Sequence, residues 1–447
     1  MAKKYDVIIV GAGPAGIFAA IELSKEKSAK VLLVEKGSDL QKRGRNSVNS
    51  GWGGSGAFSD GKLILSTVVG GWLSEYVPLE ELDTLISYID SIYEKFGGAT
   101  ERHGTDVDRI KEFQRQAVMA DLVLVPAVVR HLGTDRCVRL LKEIRRYLDE
   151  KKVEIRTEVE ALRILVGNGR AHGVELRSGD QIEASNVIIA PGRAGAHWLV
   201  EEAQRLGLTI SNNQVDIGVR VEVPAPIAEP LTKDLYESKL IYHSKSFEDE
   251  VRTFCMNPYG VVTTEVYNDN VVTVNGHSYA RKKTANTNFA LLASTTFTEP
   301  FKEPIAYGKY IARLANLLGE GIIIQRLGDL QIGRRSTPDR IRRGTVVPTL
   351  KSATPGDLSF ALPYRYISDI LEMLQALDKI APGINSRNTL LYGVEAKFYS
   401  SRPKLDANLQ TEIKNLYAIG DGAGITRGLV QASVAGVIAA RSIIKGG

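Results

Sequence analysis

Six consecutive residues, Gly11-Ala12-Gly13-Pro14-Ala15-Gly16, have the types and spacing to hold a pyrophosphate. They follow the apolar run Val7-Ile8-Ile9-Val10 and open a stretch that reads as a helix. Each glycine has its own task. Gly11 permits the tight turn, Gly13 lets the backbone approach a phosphate, and Gly16 lets the helix lie close to the sheet. Pro14 falls in the first helical turn, where a missing N–H costs little. The helix start offers free N–H groups and partial positive charge to an anion. Glu35 ends a second apolar run, 19 residues after Gly16, where a carboxylate accepts from ribose hydroxyls. An acid there disfavours a 2′-phosphate, which calls for an arginine. Ala15 and Lys36 complete this N-terminal set. A glycine turn in some other βαβ protein is the bland alternative. The motif by itself does not separate NAD from FAD.

A second glycine-rich turn stands near the other end of the chain, in Leu416-Tyr417-Ala418-Ile419-Gly420-Asp421-Gly422-Ala423-Gly424. It reads as a short strand, a Gly-Asp turn and then a helix from Leu429 and Val430. Asp421 can accept from ribityl hydroxyls. The helix can aim its N-terminus at the pyrimidine end of a flavin, where negative charge gathers on reduction. A strand-to-helix loop with a capping aspartate is the plainer alternative. Together with the N-terminal motif, the reading is FAD.

Other residues are candidates for chemistry on or near a flavin. The loop 51–62, with Gly54, Ser55 and Gly56, is placed to wrap a cofactor, since long irregular loops in compact domains are usually functional. Arg43 and Arg45 can face phosphate or be solvated charges. Arg334, Arg335, Arg340, Arg342 and Arg343 fall within ten residues. Guanidinium forks suit carboxylate or phosphate, so Arg334 or Arg335 is expected to anchor an anionic substrate; a solvated basic face is the alternative. Cys255 would need a nearby base or cation to act as a thiolate, and a buried structural cysteine is the simpler reading. His277 and Tyr259 are candidate proton donors. Lys397 and Arg427 lie near the C-terminal glycine turn in sequence. The remaining histidines have no partner pattern, and no metal-ligand spacing is present in the sequence.

These groups need elements to position them. Strands are expected at 5–10 and 30–35 around a helix at 14–27, with helices near 79–96, 106–119 and 134–151. Strand candidates follow at 153–166, 171–177, 180–183 and 186–190, with Gly167-Asn168-Gly169 and Ser178-Gly179-Asp180 as turns. That order fits a parallel strand, an antiparallel meander and a final buried strand. Residues 213–300 read as β-rich, with strands at 216–223, 261–267 and 270–275. Helices are expected at 305–318, at 368–380 from a cap at Ser368, and at 429–444, with a strand at 412–419. The fold class is α/β: a Rossmann-like FAD-binding domain, parallel sheet plus meander, made of 1–212 and 395–447, with an α+β substrate domain inserted at 213–394.

Bulk properties set the bounds. The 447 residues fit two or three domains. A net charge of +5 is mild for this length and does not call for nucleic acid. Cys137 and Cys255 form no disulfide framework, which suits a reducing compartment. The apolar run Leu122–Val129 is too short to span a bilayer and contains Pro126. The expectation is a cytoplasmic protein with no membrane partner and no metal.

On Gly11–Gly16 with Glu35, Ala190-Pro191-Gly192 and Ile419-Gly420-Asp421, the chain resembles the glutathione-reductase-like class of FAD proteins. The class often ends its meander with Ala-Thr-Gly, where this chain has proline. The resemblance implies cofactor contacts at Ala190 and Gly192, and backbone contact with adenine around Val159. A closer resemblance, over nearly the whole chain, is to the family of predicted FAD-dependent dehydrogenases. It is carried by Gly51–Lys62, Arg252–Pro258, Asn275–Ser278, Thr287–Leu292, Gly333–Thr337, Tyr392–Ser400 and Thr426–Leu429. The leading expectation is an oxidoreductase moving a hydride between flavin N5 and a small to medium organic substrate, anionic if the arginine run anchors it. No second strand–GxGxxG–helix unit is present for NAD(P)H. Electrons then pass to a transiently bound nicotinamide or to a separate carrier. Two rivals are an NAD(P)H-dependent reductase of an activated C=C bond and an RNA-associated flavoprotein.

Overall fold

The computed structural model describes residues 4–43, 50–59, 61–267, 270–279, 283–297 and 303–446. The chain divides into two compact units.

The first unit comprises Met1–Glu101, Arg130–Asn213 and Ser400–Gly447. Its sheet runs in the order Glu154–Thr157, Val31–Glu35, Tyr5–Val10, Gln181–Ile189, Arg170–Leu176, Ala161–Gly167. The strand Leu416–Ala418 also pairs with Gln181–Ile189. Tyr5–Val10 is parallel to both Val31–Glu35 and Gln181–Ile189, as apolar runs buried on both faces should be. Gln181–Ile189 is one continuous strand, where two were expected. Its first part pairs antiparallel with Arg170–Leu176 and its last part parallel with Tyr5–Val10. The polar Ser185-Asn186 pair does not break it, because Asn186 Nδ2 reaches the Asp6 carbonyl. The helix Pro14–Leu23 ends four residues early, where Ser24 Oγ donates to Ile21 O at 2.8 Å.

The helix Leu429–Gly446 is long and apolar enough to cross a membrane by length and composition. Here it is a core helix, with Val430 to Ala440 buried. Gly436 explains the small residues. A Cβ there would stand 2.2 Å from the Ala15 carbonyl oxygen, so its absence lets this helix lie backbone to backbone against Pro14–Leu23.

The second unit comprises Arg102–Val129 and Gln214–Tyr399. Its eight strands run in the order Thr354–Pro355, Ile323–Arg326, Leu390–Phe398, Val215–Pro224, Asn286–Thr295, Glu250–Asn257, Lys239–His243, Leu122–Val125. Val215–Pro224 alternates strictly. Val215, Ile217, Val219, Val221 and Val223 enter an apolar core with Ile370, Met373, Leu374 and Leu377 of the helix Tyr364–Asp378. Asp216, Arg220 and Glu222 face the other way, yet are also buried. The hairpin Val261–Val266/Val272–His277 packs Val262 and Val274 with Leu390 and Tyr392.

Two expectations are corrected. Residues Arg102–Val129 belong with the second unit, not with 1–212, because Leu122–Val125 adds to the edge of its sheet against Lys239–His243. The last boundary falls after Tyr399 and not at 394, since Leu390–Phe398 is one unbroken strand. The helix expected from Ser368 begins at Tyr364 after Pro363, and Ser368 Oγ donates back to Tyr364 O at 3.0 Å.

Candidate functional site

In the first unit, the carboxyl ends of four strands lie along one edge of the sheet. Val10 is in register with Val34 and Ile189, and Ile189 with Ala418. Gly11, Glu35, Ala190 and Gly420 therefore leave the sheet side by side. In parallel sheets this edge is where ligands bind.

The turns also touch one another. Ala190 N donates to Val10 O at 2.7 Å. A Cβ on Gly11, at φ +108°, would stand 2.1 Å from Ala190 O. A Cβ on Gly420 would meet the Ala15 Cβ at 2.9 Å, and one on Gly422 the Gly192 carbonyl oxygen at 2.4 Å. Gly16 would collide with Gly11 O at 2.0 Å. Gly13 and Gly192 differ: a Cβ on either would meet nothing within 4 Å. So most of these glycines exist for packing, whereas Gly13 and Gly192 keep space open beside the start of a ten-residue helix that no side chain caps. An extended dinucleotide fits such a cradle, since backbone N–H groups and open space meet there.

Glu35 is buried, and backbone groups hold it in place. Its Oε2 accepts from Ala12 N, and Oε1 from Gly37 N and Gly51 N, each at 2.8 Å. A carboxylate has about four lone-pair positions, so one is left for a ribose hydroxyl. Val159 N donates to Glu35 O at 3.0 Å, which lays that segment along the same strand end. Lys36 is exposed and its Nζ reaches Ala194 O at 3.4 Å.

The loop 51–62 folds back on the first turn. Gly53 N donates to Ala12 O at 2.8 Å, and Gly54–Phe58 forms a short 3₁₀ turn including Ser55. A Cβ on Gly54 would lie 3.1 Å from Gly13 Cα, and one on Gly56 2.9 Å from Leu429. Pro14, Gly53, Gly56 and Leu429 share an apolar cavity with Phe18 and Leu141. Arg43, expected at phosphate, instead staples this loop. Its Nη1 donates to Trp52 O at 2.6 Å and Gly54 O at 2.9 Å, and the guanidinium stacks over Phe58. Arg45 lies outside the described residues.

Asp421 accepts from Thr426 Oγ1 at 2.8 Å. Burial pushes its carboxyl above the ordinary aspartate value, against the pull of Arg427, Thr426 and Arg193. Val430 is buried, so only its backbone can serve a ligand. Asn213, which the sequence gave no reason to single out, ties Ser400 O at 2.7 Å to Gly424 O at 2.9 Å and so fixes the returning chain beside this turn.

The expected catalytic residues divide between the two units. Arg427 belongs to the first unit and the others to the second. Arg334 is exposed and its Nε donates to Asp329 at 2.8 Å. Arg335 is exposed, and its carbonyl accepts from Arg340 Nη1 at 2.8 Å. Arg326 in turn donates to Arg340 O at 3.0 Å, so the arginine run is partly a self-stapled turn.

Lys397 is buried in a charge network that includes residues not anticipated. Its Nζ lies 2.9 Å from Glu395, which Arg220 grips with Nε at 2.8 Å and Nη2 at 2.9 Å. Burial pulls the Glu395 carboxyl upward, but Arg220 and Lys397 outweigh it and hold it below its ordinary value. Arg220 Nη1 donates to Asn288 Oδ1 at 2.9 Å and to the Cys255 carbonyl at 3.1 Å. Cys255 meets Arg220 with its side chain as well as its carbonyl; its backbone is held at φ +48°, and its thiol lies 3.7 Å from Asn257 Nδ2. His277 packs edge-on against Tyr279, and the Tyr259 hydroxyl donates to Glu229, which raises its pKa. Alongside lie two more buried carboxylates. Asp216 accepts from Ser294 at 2.8 Å, from Tyr399 at 2.6 Å and from Arg252. Glu222 accepts from Thr349 at 2.6 Å, Asn286 at 3.0 Å and Tyr392. The available signal was the spacing of Asp216, Arg220 and Glu222 on one face of a strand. It reads as solvent-facing unless the covering elements are known.

A relative in Clostridium beijerinckii, described as an uncharacterized protein, is 27% identical, the match covering 98% of this chain and 80% of that one. Similar solved structures include 3-ketosteroid-delta4-(5alpha)-dehydrogenase from Rhodococcus jostii RHA1, at 13% identity and a TM-score of 0.46, covering 98% of this chain and 96% of that one. They also include L-proline dehydrogenase from P. horikoshii, at 13% identity and a TM-score of 0.44, covering 100% and 95%. Residues 215–398 match the family described as FAD-dependent protein, C-terminal domain-like. Residues 6–225 match the family described as FAD dependent oxidoreductase, and the protein is an FAD-dependent oxidoreductase.

Proposed function

We propose that the protein is a dehydrogenase of the predicted FAD-dependent dehydrogenase type, acting on a small to medium, anionic organic substrate. When bound, FAD supplies the redox chemistry, exchanging a hydride with the substrate at N5. The observation that carries the reading is the shared strand edge at which Gly11, Glu35, Ala190 and Gly420 emerge together.

In this reading Gly11, Gly13, Pro14, Ala15 and Gly16 receive the pyrophosphate at the helix start, and the last lone pair of Glu35 takes a ribose hydroxyl. Lys36 and Val159 border the adenosine. Gly54, Ser55 and Gly56 close over the turn, with Arg43 acting through the loop it staples. Ala190, Gly192, Gly420 and Asp421 line the ribityl side, and the backbone at Leu429 and Val430 faces the flavin pyrimidine. The second unit selects the substrate through the polar face of its sheet. Arg334 and Arg342 are spent on Asp329 and Asp339, which argues against nucleic acid as a partner. A nicotinamide donor or acceptor would bind transiently, without a second glycine turn.

The test is anaerobic mixing of the purified holoenzyme with a panel of organic acids and their neutral amides, following flavin absorbance. Bleaching by an acid and not by its amide supports the reading. Bleaching by NADH or NADPH alone, with turnover on an activated C=C bond, would favour the reductase. A flavin that no acid and no nicotinamide reduces would overturn both.

A further inference from the structure

Across four neighbouring strands of the second unit, one sheet face carries Lys239 and Ile241, then Arg252 and Phe254, then Leu292 and Ser294, then Asp216. The register places Ile241 opposite Arg252, Arg252 opposite Leu292, and Ser294 opposite Asp216. Paired residues share a face, so these side chains stand together.

Arg252 is only 7% exposed, yet only part of it is used. Nη2 donates to Asp216 and, at 2.8 Å, to the Tyr399 hydroxyl. Among the described residues, Nε and Nη1 have no hydrogen-bond partner. The guanidinium plane rests over Phe254, 5.1 Å from the ring centre, which holds the fork flat.

Lys239 is half-buried on the same face, and its Nζ has no ion pair or hydrogen bond among the described residues. Burial and the neighbouring Arg252 lower its pKa, while Glu250 and Asp216 pull the other way without restoring it. Asp216 is already shared among Arg252, Tyr399 and Ser294. Glu250 lies one inter-residue repeat further along the strand, opposite His243.

We propose that Arg252 and Lys239 form a carboxylate-binding site, with the free Nε–Nη1 edge of Arg252 taking the carboxylate and Lys239 closing on it. Ile241 and Phe254, both partly exposed on this face, border the site with apolar surface, so the ligand is a carboxylate on an apolar body rather than phosphate or a sugar acid. This names the substrate class of the dehydrogenase proposed above and rests on that reading. It replaces Arg334 and Arg335 as the anion anchor.

The test uses the oxidised holoenzyme and two probes, hexanoate and hexanamide, with binding measured by titration calorimetry. Hexanoate is expected to bind at least about tenfold more tightly than hexanamide, the worth of one charge-assisted contact. Lys239→Gln should remove about tenfold of the hexanoate affinity and leave hexanamide unchanged, and Lys239→Arg should restore most of it. Arg252→Lys, which keeps the charge on Asp216 but loses the fork, should weaken hexanoate further. If that variant fails to fold, the Lys239 pair decides. Equal binding of acid and amide, no binding of hexanoate, or hexanoate binding indifferent to Lys239→Gln would each overturn the site. Flavin reduction is read separately. Intact hexanoate binding with a flavin that no acid reduces would sink the dehydrogenase reading and leave the carboxylate site standing.

Discussion

The two units handle polar chemistry in opposite ways. The strand edge of the first unit is made largely of backbone and space: Gly13 and Gly192 face nothing within 4 Å, and the carboxylate of Glu35 is held by three backbone N–H groups. The sheet face of the second unit is made of side chains that satisfy one another, with Arg220, Glu395 and Lys397 buried together. A backbone cradle is specific for shape and takes any ligand with the right phosphate spacing. A paired charge network fixes its own geometry first, and only what it leaves unpaired is available to a ligand.

The largest effect should come from closing the cradle. Gly11→Ala puts a Cβ 2.1 Å from a main-chain oxygen at φ +108°. It should abolish FAD retention and cost on the order of 4 kcal/mol in chemical denaturation. Gly13→Ala meets no atom, so the fold should keep its stability while FAD affinity falls at least about tenfold. If both variants lose stability equally, the cradle is packing and not a ligand site.

Next comes the paired network. Glu395→Gln leaves Arg220 and Lys397 buried without their shared carboxylate, with Glu265 3.7 Å from Lys397, and should cost about 3 kcal/mol in urea unfolding. FAD content at saturating cofactor should not change, because no first-unit residue is altered. A parallel loss of FAD affinity would break the distinction between the two regions.

Much of the first unit was legible because its signals are local. The glycines of 11–16 and 420–424 report backbone constraints that hold whatever surrounds them, and the apolar runs at 5–10 and 31–35 can only be buried strands. Charged residues on a strand carry no such certainty. Asp216, Arg220 and Glu222 have the period-two spacing of a solvent-facing strand, and the residues against them, Tyr399 at Asp216, Gly276 at Arg220 and Thr349 at Glu222, are remote in sequence. The arginine run is a like case: clustering in sequence says nothing about Asp329, which takes Arg334.

A smaller effect tests burial without a paired cation. Burial, together with the nearby Asp249, pushes the Asp369 carboxyl up to about 6, with Ser244 and Arg365 opposing. The unfolded chain releases this proton near the ordinary aspartate value of 3.8, so between the two values the folded state holds more protons. Stability from this group is therefore complete at low pH and lost as pH rises through about 6. Asp369→Asn should raise stability at about pH 8 by roughly 1–2 kcal/mol, with the gain vanishing near pH 4. A pH-independent gain would mean that packing, not the proton, is responsible.

The smallest effect belongs to the arginine run. Arg334 is 45% exposed and pairs with an Asp329 that keeps Ser336 Oγ at 2.8 Å and Arg326 at 3.8 Å when Arg334 is removed. Burial raises the Asp329 carboxyl, but these partners together hold it below its ordinary value. Arg334→Ala should therefore cost no more than about 1 kcal/mol, the range of an exposed ion pair. Hexanoate affinity should be unchanged in the same protein. Were that affinity to fall as far as in Lys239→Gln, the anion anchor would lie on the arginine turn, and the unpaired edge of Arg252 would need another occupant.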